Sequence, residues 1–203
     1  MIVYLDLDRT LFDTEKTGEI WQVVGRLYPQ VDTEQSYRQR EQYYGMVGDL
    51  YFYDMSAQLR DFGLDPETVY AELQKTELAD GRFEFSGCRE LIETLGKHAE
   101  VQVFTFGMDD FQRFKASLCP SLRGLQVITT LRAKAEVLDD TETECWLVDD
   151  KPIGDELPSS VSFVQVALEG QPASLDEPWP TITSLEQVRE FFVDVFADQN
   201  IDK

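Results

Sequence analysis

Residues 2–7, Ile-Val-Tyr-Leu-Asp-Leu, form an almost unbroken apolar run, the pattern of a strand covered on both faces. From Asp13 to Leu78 the spacing turns helical: Ile20, Val23, Val24 and Leu27 fall at i, i+3, i+4 and i+7, and Pro29 ends the run. Further helices are expected over 33–44, 48–61 and 65–78, the last with Asp65 as N-cap and Pro66 in its first turn. No segment in this stretch reads as a strand. Beyond Gly81 the pattern alternates: a helix over 88–95 stopped by Gly96, a strand over 101–106, a helix over 110–118 and a strand over 125–128. A short helix at 133–138, strands at 145–148 and 162–167, and a helix from Ser184 to Phe196 follow, with Ser184 and Gln187 as a capping box. Residues 171–180 read as a loop. Alternating strands and helices imply an α/β fold, a Rossmann-like parallel sheet. The organisation expected is therefore a core of 1–13 plus 82–203, with an all-helical cap, 14–81, inserted after the first strand.

In a parallel sheet, ligands bind beyond the carboxyl ends of the strands, so the residues at which each apolar run stops carry the functional information. The first run stops at Asp6 and Asp8, the second at Thr105, and the "CWLV" run at Asp149 and Asp150. On a straight strand Asp6 and Asp8 would point to one side, roughly 6–7 Å apart. Carboxylates gathered at one sheet edge repel one another, and a hard divalent cation relieves this. Magnesium fits, because it takes oxygen ligands and is held by one or two carboxylates plus substrate phosphate. One carboxylate can then attack phosphorus while a neighbour, its pKa raised by like charge, moves the proton. Thr105 offers a hydroxyl to a phosphoryl oxygen, and a lysine should complete the clamp.

These residues also carry a resemblance. "DLDRTLFD" (6–13), "VQVFT" (101–105) and "CWLVDD" (145–150) resemble, in order and strand placement, three motifs of the haloacid dehalogenase (HAD) superfamily, and the 14–81 insert is similar to the helical cap of many members. The resemblance implies Asp6 as nucleophile, Asp8 as general acid/base and Thr10 as a positioning residue. It implies magnesium held by Asp6, the Asp8 backbone carbonyl and Asp149, with Asp150 in support. For the family's lysine, Lys134 lies where it is expected, although its spacing to Asp149 is short; Lys115 is the rival and Lys151 a third choice. Arg9 stands where many of the phosphatases carry glycine. The expected function is a magnesium-dependent phosphatase working through an aspartyl-phosphate on a small phosphorylated metabolite. The alternatives are a phosphomutase using the same site and a non-catalytic HAD-like interaction protein.

Composition bounds the partners. Among 203 residues, 18 Lys and Arg against 39 Asp and Glu give a net charge of −21, which repels nucleic acid and anionic membrane surfaces. Cys88, Cys119 and Cys145 are widely spaced and suggest neither a disulfide framework nor a zinc site, which fits a cytoplasmic location. No membrane span or signal peptide is expected. Asp139 and Asp140 follow no strand and read as a solvated turn. His98, the single histidine, reads as an exposed loop residue. Gly45 and Gly48 follow no strand, so they read as a hinge or helix break rather than a dinucleotide loop. The insert's aromatics, Trp21, Tyr28, Tyr37, Tyr43, Tyr44, Tyr51, Phe52 and Tyr53, admit two readings: a small cap core, or a stacking wall for a ring in the substrate.

Overall fold

The computed structural model describes residues 1–138, 144–168 and 178–199. In chain order the elements are β1 (Ile2–Leu5), α1 (Thr17–Leu27), α2 (Thr33–Gln39), β2 (Tyr44–Val47), β3 (Leu50–Tyr53), α3 (Met55–Asp61), α4 (Pro66–Leu73), α5 (Cys88–Leu95), β4 (Glu100–Phe106), α6 (Asp109–Ser117), β5 (Gln126–Thr130), α7 (Lys134–Leu138), β6 (Cys145–Asp149), β7 (Val161–Val166), β8 (Thr181–Ile182) and α8 (Leu185–Gln199). Six strands make one parallel sheet in the order β5-β4-β1-β6-β7-β8.

The central position of β1 explains its apolar run. Leu5 pairs with Val103 on one side and Val148 on the other, so neither edge meets water. Val3 and Leu5 join the larger core with Leu91 and Leu95 of α5 and Phe192 of α8, whereas Tyr4 packs in the opposite cluster with Phe104, Leu147 and Leu138 of α7. Both faces are therefore apolar, as a doubly covered strand requires. Since β1, β4 and β6 run parallel side by side, their carboxyl ends deliver Asp6, Thr105 and Asp149 to one edge.

The insert departs from expectation. It is not all helical, because residues 44–53 form an antiparallel hairpin in which Tyr44 faces Tyr53 and Val47 faces Leu50. Its two-residue turn is Gly48-Asp49, and Gly48 has φ of 57°. Glycine at the first central position of such a turn supplies the left-handed conformation that a tight hairpin needs. The helix expected over 48–61 is thus reduced to α3, capped by Asp54, whose carboxylate accepts from Ala57 N–H at 2.8 Å. The Asp65 cap of α4 is present, accepting from Thr68 N–H at 3.0 Å. The 65–78 helix ends at Leu73, followed by a separate 3₁₀ turn at Glu77–Asp80.

Smaller differences lie elsewhere. Strand β8 was not expected, and the capping box at α8 is offset: Ser184 Oγ accepts from Gln187 N–H, but Gln187 Oε1 accepts from Thr183 N–H. His98 lies exposed in a turn, as expected, with its ring stacked on Phe196 at 4.7 Å. The expected turn at Asp139 and Asp140, and residues 171–177 of the expected loop, lie outside the described residues.

The chain enters the insert after Asp13 and returns at Phe83; Asp13 N–H donates to Phe83 C=O at 2.8 Å, and the Phe12 and Phe83 rings stack at 4.9 Å. The insert rests on α6. Tyr70 stacks on Phe114 at 4.6 Å, Tyr53 meets Phe111 edge-on at 5.5 Å, and Ser56 Oγ donates to the Asp110 carboxylate at 2.5 Å. Among the described residues no helix is long and apolar enough to cross a membrane.

Candidate active site

Asp6 follows β1 directly, and its N–H still donates to Val148 C=O at 2.9 Å, which holds it level with Asp149 at the end of β6. Carboxylate oxygens of Asp6, Asp149 and Asp150 lie within 4.8 Å of one another. Lys134, at the start of α7, reaches into this group: Nζ donates to Asp6 Oδ1 at 2.5 Å and to Asp149 Oδ2 at 2.6 Å. A cation in the first turn of a helix opposes the helix dipole, and these two acids offset that. Lys151 contributes its backbone N–H, which donates to Asp149 Oδ1 at 2.9 Å.

The group is nearly dry. Asp6, Lys134 and Asp149 are 5%, 7% and 2% exposed, so any charge left uncompensated there is costly. Burial pushes the Asp6 carboxyl up to about 8 against the pull of Lys134, and the neighbouring acids Asp149, Asp150 and Asp8 push the same way. Burial followed by Asp149 raises Asp150 to about 6, while Lys151, Lys134 and Arg9 pull it down. Burial opposes the charged form of Lys134, yet Asp149 and Asp6 outweigh it, and its ammonium is held more firmly than an ordinary lysine's. One ammonium among three carboxylates leaves the group short of positive charge, and oxygen donors in that state suit a hard divalent cation.

Asp8 is placed differently. Its carboxylate does not share the Asp6 group; both oxygens accept from Lys115 Nζ, and Oδ2 also accepts from Gln112 Nε2 at 3.0 Å. The straight-strand geometry does not apply, because β1 ends at Leu5 and the backbone turns, with Arg9 at φ of 62°. Arg9 is the only non-glycine at positive φ among the described residues, where an L side chain is strained. Both rival lysines thus reach the site, each on a different carboxylate: Lys134 holds the Asp6 group and Lys115 holds Asp8. Lys115 is buried, with its ammonium 4.9 Å from the centre of the Phe111 ring.

Thr105 brings a hydroxyl to this site, and Thr10 is not among the residues that line its cavity. Thr10 and Thr105 are fully buried, and the Oγ1 of each has no hydrogen-bond partner among the described residues. Thr105 lines a cavity of about 490 Å³ together with Asp6, Asp8, Lys134, Asp149 and Asp150, and hairpin residues 47–51 form another part of its wall. The sequence expectation therefore lacked the hairpin over the site and Gln112. The latter carries no motif; its only signal is the i, i+3 spacing to Lys115, which places both on one face of α6.

Solved structures of similar shape exist. A haloacid dehalogenase-like hydrolase from Burkholderia xenovorans matches with a TM-score of 0.62 at 16% identity, covering 93% of this chain and 97% of that one. A HAD-hydrolase from Bacillus subtilis bound to magnesium gives 0.52 at 14% identity, covering 94% and 97%. An L-2-haloacid dehalogenase from Xanthobacter autotrophicus, with chloropropionic acid covalently bound, gives 0.51 at 15% identity, covering 94% and 97%. No protein-family model and no curated protein matches the sequence. The likeness is one of fold: this chain has the HAD-like α/β fold over nearly its whole length.

Proposed function

We propose that the protein is a magnesium-dependent phosphatase that hydrolyses a small phosphomonoester through an aspartyl-phosphate on Asp6. The observation that carries this reading is the buried Asp6, Asp149 and Asp150 group with Lys134 inside it and the partnerless Thr105 hydroxyl in the same cavity. A phosphate ester supplies what these residues lack: oxygens for the lysine and the hydroxyl, and a shared ligand for a cation. Asp6, Asp149 and the backbone carbonyl of Asp8 would hold magnesium, with Asp150 beside them. Magnesium when bound neutralises the phosphate and the acids, so that Asp6 is ionised at neutral pH.

Asp6 attacks phosphorus, the bond to the ester oxygen breaks, and Asp8, the general acid of this reading, passes that oxygen a proton. Water then attacks the phosphoryl group; Asp8 takes a proton from it, and the Asp6 carboxylate is released with inorganic phosphate. Lys134 orients Asp6 and holds a phosphoryl oxygen, and Thr105 donates to another. The fold is shared with an L-2-haloacid dehalogenase that holds chloropropionic acid covalently, so dehalogenation is the rival chemistry. That chemistry needs neither a cation nor a second acid, whereas this site gathers an acid surplus at one point and a further carboxylate next to it. The test is phenyl phosphate hydrolysis by the wild type and by Asp6→Asn, each with magnesium and with a chelator. Turnover requiring both Asp6 and magnesium supports the reading, and turnover indifferent to either removes it.

A further inference from the structure

A second cavity, of about 530 Å³, lies between the hairpin, α1 and α6. It shares Asp8, Arg9, Tyr51 and Phe106 with the first cavity, so the two meet at the carboxylate that would serve the leaving oxygen. Its wall mixes aromatic rings with charged side chains, Arg9, Arg40 and Lys115 among them. Packing accounts for some of the rings: Trp21 Nε1 donates to Tyr53 Oη at 3.2 Å, and Tyr53 abuts Phe111. Tyr44 packs its ring on Tyr53 at 5.5 Å, but no such contact accounts for Tyr51, which stands 64% exposed on the hairpin and also lines the cavity.

Gln112 also lines this cavity and is 5% exposed. Its Nε2 donates to Asp8 Oδ2 at 3.0 Å and to Phe106 C=O at 2.8 Å. Both partners are acceptors, which fixes which end of the amide is nitrogen. Oε1 is then a buried acceptor with no partner among the described residues. The amide is tightly seated: a Cβ on Gly107, which has φ of 143°, would come within 2.3 Å of Nε2. An acceptor so confined, next to Asp8, asks for a donor on the ligand close to the reacting bond.

The geometry points to this second cavity as the leaving-group subsite, and to the substrate as an aromatic phosphomonoester whose ring carries a hydroxyl or N–H next to the ester oxygen. The inference rests on the phosphatase reading for the position of the phosphate. The ring lies against Tyr51, and its neighbouring donor meets Gln112 Oε1. A site with a buried acceptor of this kind discriminates strongly against analogues lacking the donor, since they leave the acceptor unpaired.

The experiment is calorimetric binding to Asp6→Asn protein in magnesium, where turnover does not interfere. The probes are propyl, phenyl, 2-hydroxyphenyl and 2-methoxyphenyl phosphate. Phenyl phosphate is expected to bind about tenfold tighter than propyl phosphate, and 2-hydroxyphenyl about tenfold tighter again, a gain the methoxy analogue loses. Tyr51→Ala, a change at an exposed position, should remove most of the phenyl preference. Equal binding of propyl and phenyl phosphate, or a phenyl preference untouched by Tyr51→Ala, overturns the subsite. Hydrolysis of the same probes by the wild type is scored separately. Ring-selective binding without turnover would leave the aromatic subsite standing and remove the phosphatase reading, whereas unselective turnover would do the reverse.

Discussion

Replacing Lys134 with methionine keeps much of the side-chain volume and removes the one ammonium that bridges Asp6 and Asp149. At 2.5 and 2.6 Å each contact is worth about 6 kcal/mol of Coulomb attraction at an effective dielectric near 20, before desolvation is counted. The acids stay buried after the cation is gone, and the loss of one partner from a buried pair costs about 3–5 kcal/mol. For a chain of this size each kcal/mol lowers the melting temperature by about 2–4 °C, so Lys134→Met should melt roughly 6–20 °C lower near pH 8 without metal. The deficit must shrink in acid. The raised Asp6 and Asp150 carboxyls take up protons on going from about 8 to below about 6, and a protonated acid needs no cation. Thermal melts followed by circular dichroism, for both proteins in chelator near pH 8 and near pH 5.5, read this directly. A deficit under about 2 °C near pH 8, or one of the same size at both pH values, would refute the claim that Lys134 compensates buried charge.

Other expectations follow from the same residues. Because the folded-state values of Asp6 and Asp150 lie above those of the unfolded chain, their contribution to stability is complete below about pH 4 and fades as pH rises through about 6 and then about 8. Magnesium should accordingly raise the melting temperature more near pH 8 than near pH 5.5, and an equal shift at both would contradict the assignment. Thr105→Val removes a buried hydroxyl that has no protein partner, so stability should hold or rise in denaturant titrations while kcat falls about a hundredfold. Arg9→Gly should add about 1 kcal/mol of stability by relieving a left-handed backbone, and Arg9→Val should lose a similar amount; the reverse order in urea titrations would count against strain at this turn.

What could be read from the sequence was whatever burial imposes on neighbouring residues. The 101–106 and 145–148 runs are apolar because their strands are covered on both faces, so their ends stand out, and Thr105 and Asp149 sit at those ends in the structure. Asp6 follows by the same logic. Asp8 does not, since the strand stops at Leu5 and alternation says nothing about a turn. The hairpin was legible in principle: Gly-Asp between "YGMV" and "LYFY" is a two-residue hairpin turn, but its exposed face carries aromatics that a helical reading can also absorb. The choice between Lys134 and Lys115 could not be made from spacing, because both reach the site and what separates them is which carboxylate each meets. Gln112 acts through its tertiary neighbours Asp8 and Phe106, and beyond its i, i+3 spacing to Lys115 the one-dimensional pattern does not reveal that.

The central claim is that Asp6 takes the phosphoryl group, and trapping it is the most direct measurement. Wild-type protein is mixed with magnesium and phenyl phosphate, quenched in acid within the first turnover, and digested for mass spectrometry. The account predicts one added phosphoryl group on the peptide that contains Asp6, located at that residue and missing from Asp6→Asn. Turnover with no modified peptide, or a phosphoryl group on any other residue, would contradict it.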